Sequence, residues 1–109
     1  MATQTPKNLI GPAQALTSTP ATYVSPSGGF GIIRTVFAMA SAGSPTLTVA
    51  LGADAAGTRI IPAYQLTNLI PYVLNGWIIT PTNSAHAIDA SSSATGTQLV
   101  SNISGYEYV

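Results

Sequence analysis

Apolar and polar residues alternate with a period of two over several short stretches, and Gly, Pro, Ser and Asn repeatedly cut the alternation. The clearest stretch is 46–51, where Leu47, Val49 and Leu51 share one side and Thr46 and Thr48 the other. A period of two is that of a strand with one face in a core. Residues 30–40 are rich in Ile, Val, Phe and Thr, which suit a pleated surface. Strict alternation there puts Ile33, Phe37 and Met39 on one side and Ile32, Val36 and Ala38 on the other, so both sides are apolar. A strand in a simple two-layer sandwich turns one side to water. The second side of this one is therefore expected to lie under a loop or a neighbouring subunit.

Further strands are expected at 21–24, 58–61, 66–70, 72–74, 77–80, 86–91 and 98–108. Between them lie turn-forming runs such as Ser25-Pro26-Ser27-Gly28-Gly29, where proline fixes φ and glycine permits positive φ. Pro62 is expected to end the strand at 58–61. Asn75-Gly76 predicts a tight hairpin, because a type I′ turn needs positive φ at both central residues. Residues 92–96 read as a connecting loop. The sum is an all-β chain, an antiparallel β-sandwich of jelly-roll type with about seven or eight short strands. Residues 1–15, with Pro6, Gly11 and Pro12, are expected to form an extended N-terminal arm, and residues 16–109 a single sandwich domain.

Charge is scarce. Lys7, Arg34 and Arg59 face Asp54, Asp89 and Glu107, so 6% of residues are charged, against about 25% in ordinary soluble domains. Zero net charge gives little self-repulsion and favours association. Three scattered cations make no stripe for a phosphate backbone, so no nucleic-acid partner is expected. The most apolar run, 31–42, contains Arg34 and is shorter than the roughly 20 residues of a spanning helix. No membrane partner is expected either, and the first residues lack the charged start and apolar run of a signal peptide. Without cysteine there is neither a disulfide nor a thiolate metal site.

Candidate chemistry is sparse. His86 and Asp89 are three apart, which on one strand points them to opposite faces and argues against a direct pair. Ser91, Ser92 and Ser93 read as loop residues without a nucleophile motif. Asp54, a lone carboxylate in a Gly-Ala loop, falls short of the six to eight oxygens of a calcium site and reads as a turn residue within reach of Arg59. The run Gly28-Gly29-Phe30-Gly31 lacks the Lys-Ser/Thr ending of a phosphate loop. The chain is expected to be no enzyme and to carry no cofactor or metal. Candidate subunit-interface residues are Ile32, Val36, Trp77, Tyr106 and Tyr108, since tyrosine and tryptophan are enriched where proteins meet. Tyr64, Tyr72 and Trp77 are candidate glycan contacts, because an aromatic ring can stack on a sugar.

The order of segments from Tyr23 onward, Tyr23-Val24-Ser25-Pro26, then Gly31-Ile32-Ile33-Arg34-Thr35-Val36, then the run from Leu47 to Arg59 and finally Ile103-Ser104-Gly105, resembles small β-sandwich virion proteins of tailed bacteriophages. Its most specific part is the run from Gly52 to Arg59; residues 64–84 depart from the pattern. The resemblance implies a non-catalytic virion component, assembled in the bacterial host cytoplasm and repeated by symmetry, for instance as a homo-trimer bound to other virion proteins. It favours a minor tail or baseplate protein, with a capsid decoration protein as the alternative. A host-surface carbohydrate-binding module is the second alternative.

Overall fold

The computed structural model describes residues 3–55 and 57–109 and is built from strands alone. The strands are β1 (Gln4–Ala15), β2 (Ala21–Tyr23), β3 (Phe30–Ala40), β4 (Thr46–Ala50), β5 (Arg59–Gln65), β6 (Tyr72–Ile79), β7 (Ile88–Ser92) and β8 (Leu99–Tyr108). They form two four-stranded antiparallel sheets in the orders β1-β8-β3-β6 and β2-β7-β4-β5. This is an eight-stranded jelly roll, in which only β4 and β5 pair as neighbours in sequence and the chain otherwise passes from sheet to sheet. The apolar side of each sheet faces the other, and Leu16, Ile33, Leu47, Val49, Ile88, Leu99 and Ile103 between them are wholly sealed from solvent. Each such side chain stabilises the fold by about 1.5–3 kcal/mol relative to exposure.

The N-terminal segment is extended as its prolines require, and it lies on its own sandwich. From Gln4 to Ala15 it pairs with β8, forming one edge of the first sheet. Leu9 and Ile10 are buried in the core beneath it.

Four local expectations fail. Pro62 does not end β5, because β5 is an edge strand and bulges there: Leu47 pairs Tyr64 while Val49 pairs Ile61. Ala63, at φ 49°, turns its N–H to the Thr48 hydroxyl at 3.1 Å. Residues 66–70 are a turn rather than a strand; Leu69 has φ 62°, Ile70 N–H donates to the Thr67 carbonyl, and Leu66 plugs the core. Asn75-Gly76 makes no hairpin, for β6 runs through it unbroken. Ser92, expected in a loop, belongs to β7 together with Ser91, where the two pair with Leu47 and Thr48.

Asn75-Gly76 is instead part of a row of bulges that crosses the whole first sheet. On β1, Asn8 pairs Ser104 and Ile10 pairs Ile103, which leaves Leu9 as an extra residue. On β3, Ile33 pairs Gly105 and Thr35 pairs Ser104, so Arg34 is extra. On β6, Gly76 and Trp77 together face Arg34, because Ile33 pairs Ile78 and Thr35 pairs Asn75. A bulge bends its strand and re-aims side chains. It also reverses their facing: Ile33 points into the core, and beyond Arg34 the inward residues are Val36, Ala38 and Ala40.

Candidate functional site

The reversal at Arg34 redistributes the residues expected at an interface. Val36 is fully buried inside the sandwich and takes no part in any surface, a correction to the strict alternation that grouped it with Ile32. Ile32 lies before the bulge, and its register partners are Tyr106 on β8 and Ile79 on β6. It belongs to the outer face of the first sheet, yet only 4% of it is exposed, because its neighbours cover it. Tyr106 and Tyr108 do stand on this face, as expected, Tyr108 stacked on Phe30 at 5.2 Å. Trp77 completes the group, tilted against Tyr106 at 6.1 Å between ring centres. The structure thus brings together four of the five expected interface residues.

This outer face is more apolar than solvent warrants. Alternate residues of β6 point outward, and Val73, Trp77 and Ile79 are each more than half exposed. Phe37, opposite Val73 on β3, adds to the strip at one end. Leu69 and Ile70, just before β6, are exposed as well, and Leu69 is fastened to Ala40 of β3 by a 2.9 Å backbone bond.

The glycan candidates do not converge. Tyr64 on β5 and Tyr72 on β6 pack against each other at 5.0 Å across the open side of the sandwich. Tyr72 leans on the core, whereas Trp77, five residues along the same strand, points outward.

The residue that the pattern of the sequence leaves unmarked is Arg34. As the extra residue of its bulge it projects from an otherwise apolar strand, with its guanidinium carbon 4.9 Å from the centre of the Trp77 ring. Beside it an open groove of about 430 Å³ runs between β1, β8 and β3, lined by Pro6, Lys7, Asn8, Arg34, Ser104 and Tyr106. Its floor is backbone at Gly105. A Cβ there would overlap the Ile32 carbonyl oxygen and lie 2.9 Å from Arg34 N. The one sequence signal was a cation inside the apolar run Gly31-Ile32-Ile33-Arg34-Thr35-Val36.

The remaining charges are committed elsewhere. Glu107 accepts a 2.6 Å hydrogen bond from the buried Tyr23 hydroxyl and pairs with Lys7 at 3.2 Å. The Tyr23 hydroxyl, and then Lys7, hold the Glu107 carboxyl below its ordinary value. Burial, reinforced by Glu107, pushes the Tyr23 hydroxyl well above the usual phenol range. Asp54 receives two hydrogen bonds from Arg59, at 2.9 and 3.3 Å, as the loop composition led one to expect. That guanidinium holds the Asp54 carboxyl below its usual value.

Asp89 and His86 are paired, against expectation. His86 sits in the turn ahead of β7 rather than on the strand, so its Nδ1 reaches Asp89 at 3.1 Å. Asp89 is buried, and it also accepts from the Thr22 hydroxyl at 2.8 Å and from Asp54 N–H at 3.2 Å. It ties β2, β7 and the loop before β5 together. No group of three or more metal-ligating side chains occurs among the described residues. Comparison with protein-family models, with curated proteins and with solved structures finds no match to this chain.

Proposed function

We propose that this chain is a non-enzymatic structural subunit of a bacteriophage particle, most simply a minor tail or baseplate protein, that works by associating with copies of itself and with other virion proteins. The observation that carries the reading is the outer face of the first sheet, where Val73, Trp77 and Ile79 stand more than half exposed beside Phe37 and Tyr108. Contiguous apolar patches of this kind mark interaction surfaces. A chain with so few charges gains little from leaving such a face in water. The phage assignment comes from the order of segments described above, and the capsid surface is the alternative place on the particle.

Sedimentation velocity at micromolar concentrations tests the association. The wild type is expected to sediment as a discrete oligomer, and Ile79→Glu combined with Val73→Glu to sediment as a folded monomer. A wild type that stays monomeric throughout refutes the reading. Antibody labelling of purified particles then separates tail from head, and absence from both removes the phage assignment. A second reading, a host-surface carbohydrate module, draws on the half-exposed Trp77 beside Tyr106.

A further inference from the structure

We propose that the groove between β1, β8 and β3 binds a carboxylate-bearing sugar, a uronic-acid residue of an acidic polysaccharide, with Arg34 taking the carboxylate. The inference gives the carbohydrate reading a place and a ligand class, and it rests on that reading.

The first argument is an inventory of charge. The chain has three Asp and Glu residues in all. Asp54 is held by Arg59, Glu107 by Lys7 and Tyr23, and Asp89 by His86, Thr22 and a backbone N–H. Arg34 has no carboxylate partner among the described residues, and the side chains of a second copy have none to spare. Arg34 is thus exposed and free to take an anion from a different molecule.

The second argument is geometry. Arg34 is the extra residue of a bulge, a device that aims one side chain out of a strand. The Trp77 ring beneath the guanidinium fixes its position without using its hydrogen-bonding fork. That fork matches a carboxylate with two parallel bonds.

The third argument concerns the lining. Asn8 and Ser104 are register partners facing the groove, and neither side chain makes a hydrogen bond among the described residues. Together with Arg34 they offer an amide, a hydroxyl and a cation. Tyr106 forms a wall. A sugar acid uses all of these: carboxylate to Arg34, ring hydroxyls to Asn8 and Ser104, ring face to Tyr106. An acidic peptide side chain would use Arg34 alone. The volume, about 430 Å³, lies within the range of roughly 300–1,000 Å³ typical of small-molecule sites.

The probe is trigalacturonate, with maltotriose as its neutral counterpart, followed by calorimetry and by backbone amide shifts. Trigalacturonate is expected to bind and to move the signals of Asn8, Arg34, Ser104 and Tyr106, while maltotriose does not. Arg34→Gln is expected to weaken binding by about 10- to 100-fold, the span of a charged hydrogen bond, and Asn8→Ala to weaken it with Arg34 intact. Arg59→Gln leaves it unchanged. Sedimentation of the wild type with and without trigalacturonate is read alongside, which separates this test from that of assembly. Absence of shifts in the groove at millimolar trigalacturonate overturns the proposal. So does equal binding of a tri-glutamate peptide, which would make the occupant an acidic protein segment.

Discussion

Replacing Gly105 by alanine puts one methyl group where two backbones meet. Gly105 lies on β8 opposite Ile33, in the row of bulges, and the new Cβ would overlap the Ile32 carbonyl oxygen and press on Arg34 N at 2.9 Å. Neither obstacle is a flexible side chain that can swing away. The strands must part locally, and overpacking of this kind costs about 1–3 kcal/mol. Parting also lengthens the ladder bonds around the Ile33–Gly105 pair, each worth about 0.5–1.5 kcal/mol. A loss of about 3–4 kcal/mol is expected, a large share of the roughly 5–15 kcal/mol of a typical domain. At about 4–8 °C per kcal/mol for a chain near this size, the melting temperature should fall by about 12–32 °C. Differential scanning calorimetry at a dilution that suppresses association reads this directly. Gly57→Ala is the control: nothing lies within 4 Å of its Cβ, and a change within about 0.5 kcal/mol is expected for such a surface site. A Gly105→Ala protein that melts within about 3 °C of wild type would refute the close approach of β3 and β8.

Tyr23→Phe deletes the hydroxyl that holds Glu107, and urea titration is expected to show a loss of about 1.5–3 kcal/mol at neutral pH. The pH dependence follows from the signs. The lowered Glu107 value adds stability that is present above the unfolded carboxyl value of about 4.3 and lost as pH falls through the folded one. The raised Tyr23 value adds stability present below about pH 10 and lost as pH rises beyond it. Tyr23→Phe should therefore remove the alkaline limb and shrink the acid limb to the share that Lys7 maintains. Asp89→Asn removes the charge that the Thr22 hydroxyl and Asp54 N–H both meet, and a loss of about 1–3 kcal/mol by the same titration is expected. Val36→Thr buries a hydroxyl in the core and should cost about 1–3 kcal/mol. Ile79→Thr, on the outer face, should change monomer stability by no more than about 0.5 kcal/mol.

The strands of this jelly roll are largely legible in its sequence. Residues 30–40 and 46–50 carry the β-branched and alternating patterns that strands require, and both are observed as β3 and β4. What alternation alone does not reveal is a change of phase. Arg34 and Leu9 are single extra residues, and each depends on what lies across the sheet. Strict alternation misplaces Val36 for that reason, and Asn75-Gly76 has the look of a hairpin because turns and bulges draw on the same residues. The His86–Asp89 pair was hidden by a boundary: β7 begins at Ile88, so the two residues do not share a strand. Arg34 itself reads in the sequence only as an interruption, because its lack of a carboxylate partner depends on where the fold places the other charges.

The bulge at Arg34 leaves a signature that a mutational scan of β3 can read. Ahead of it the even-numbered Phe30 and Ile32 face outward and Ile33 inward; past it Phe37 and Met39 face outward and the even-numbered Val36, Ala38 and Ala40 inward. Tolerance to charged substitutions along this one strand should thus switch parity midway, even positions yielding to odd. A deletion of Arg34 would bring the two halves into a single phase, and one of them would then carry its core residues to the solvent.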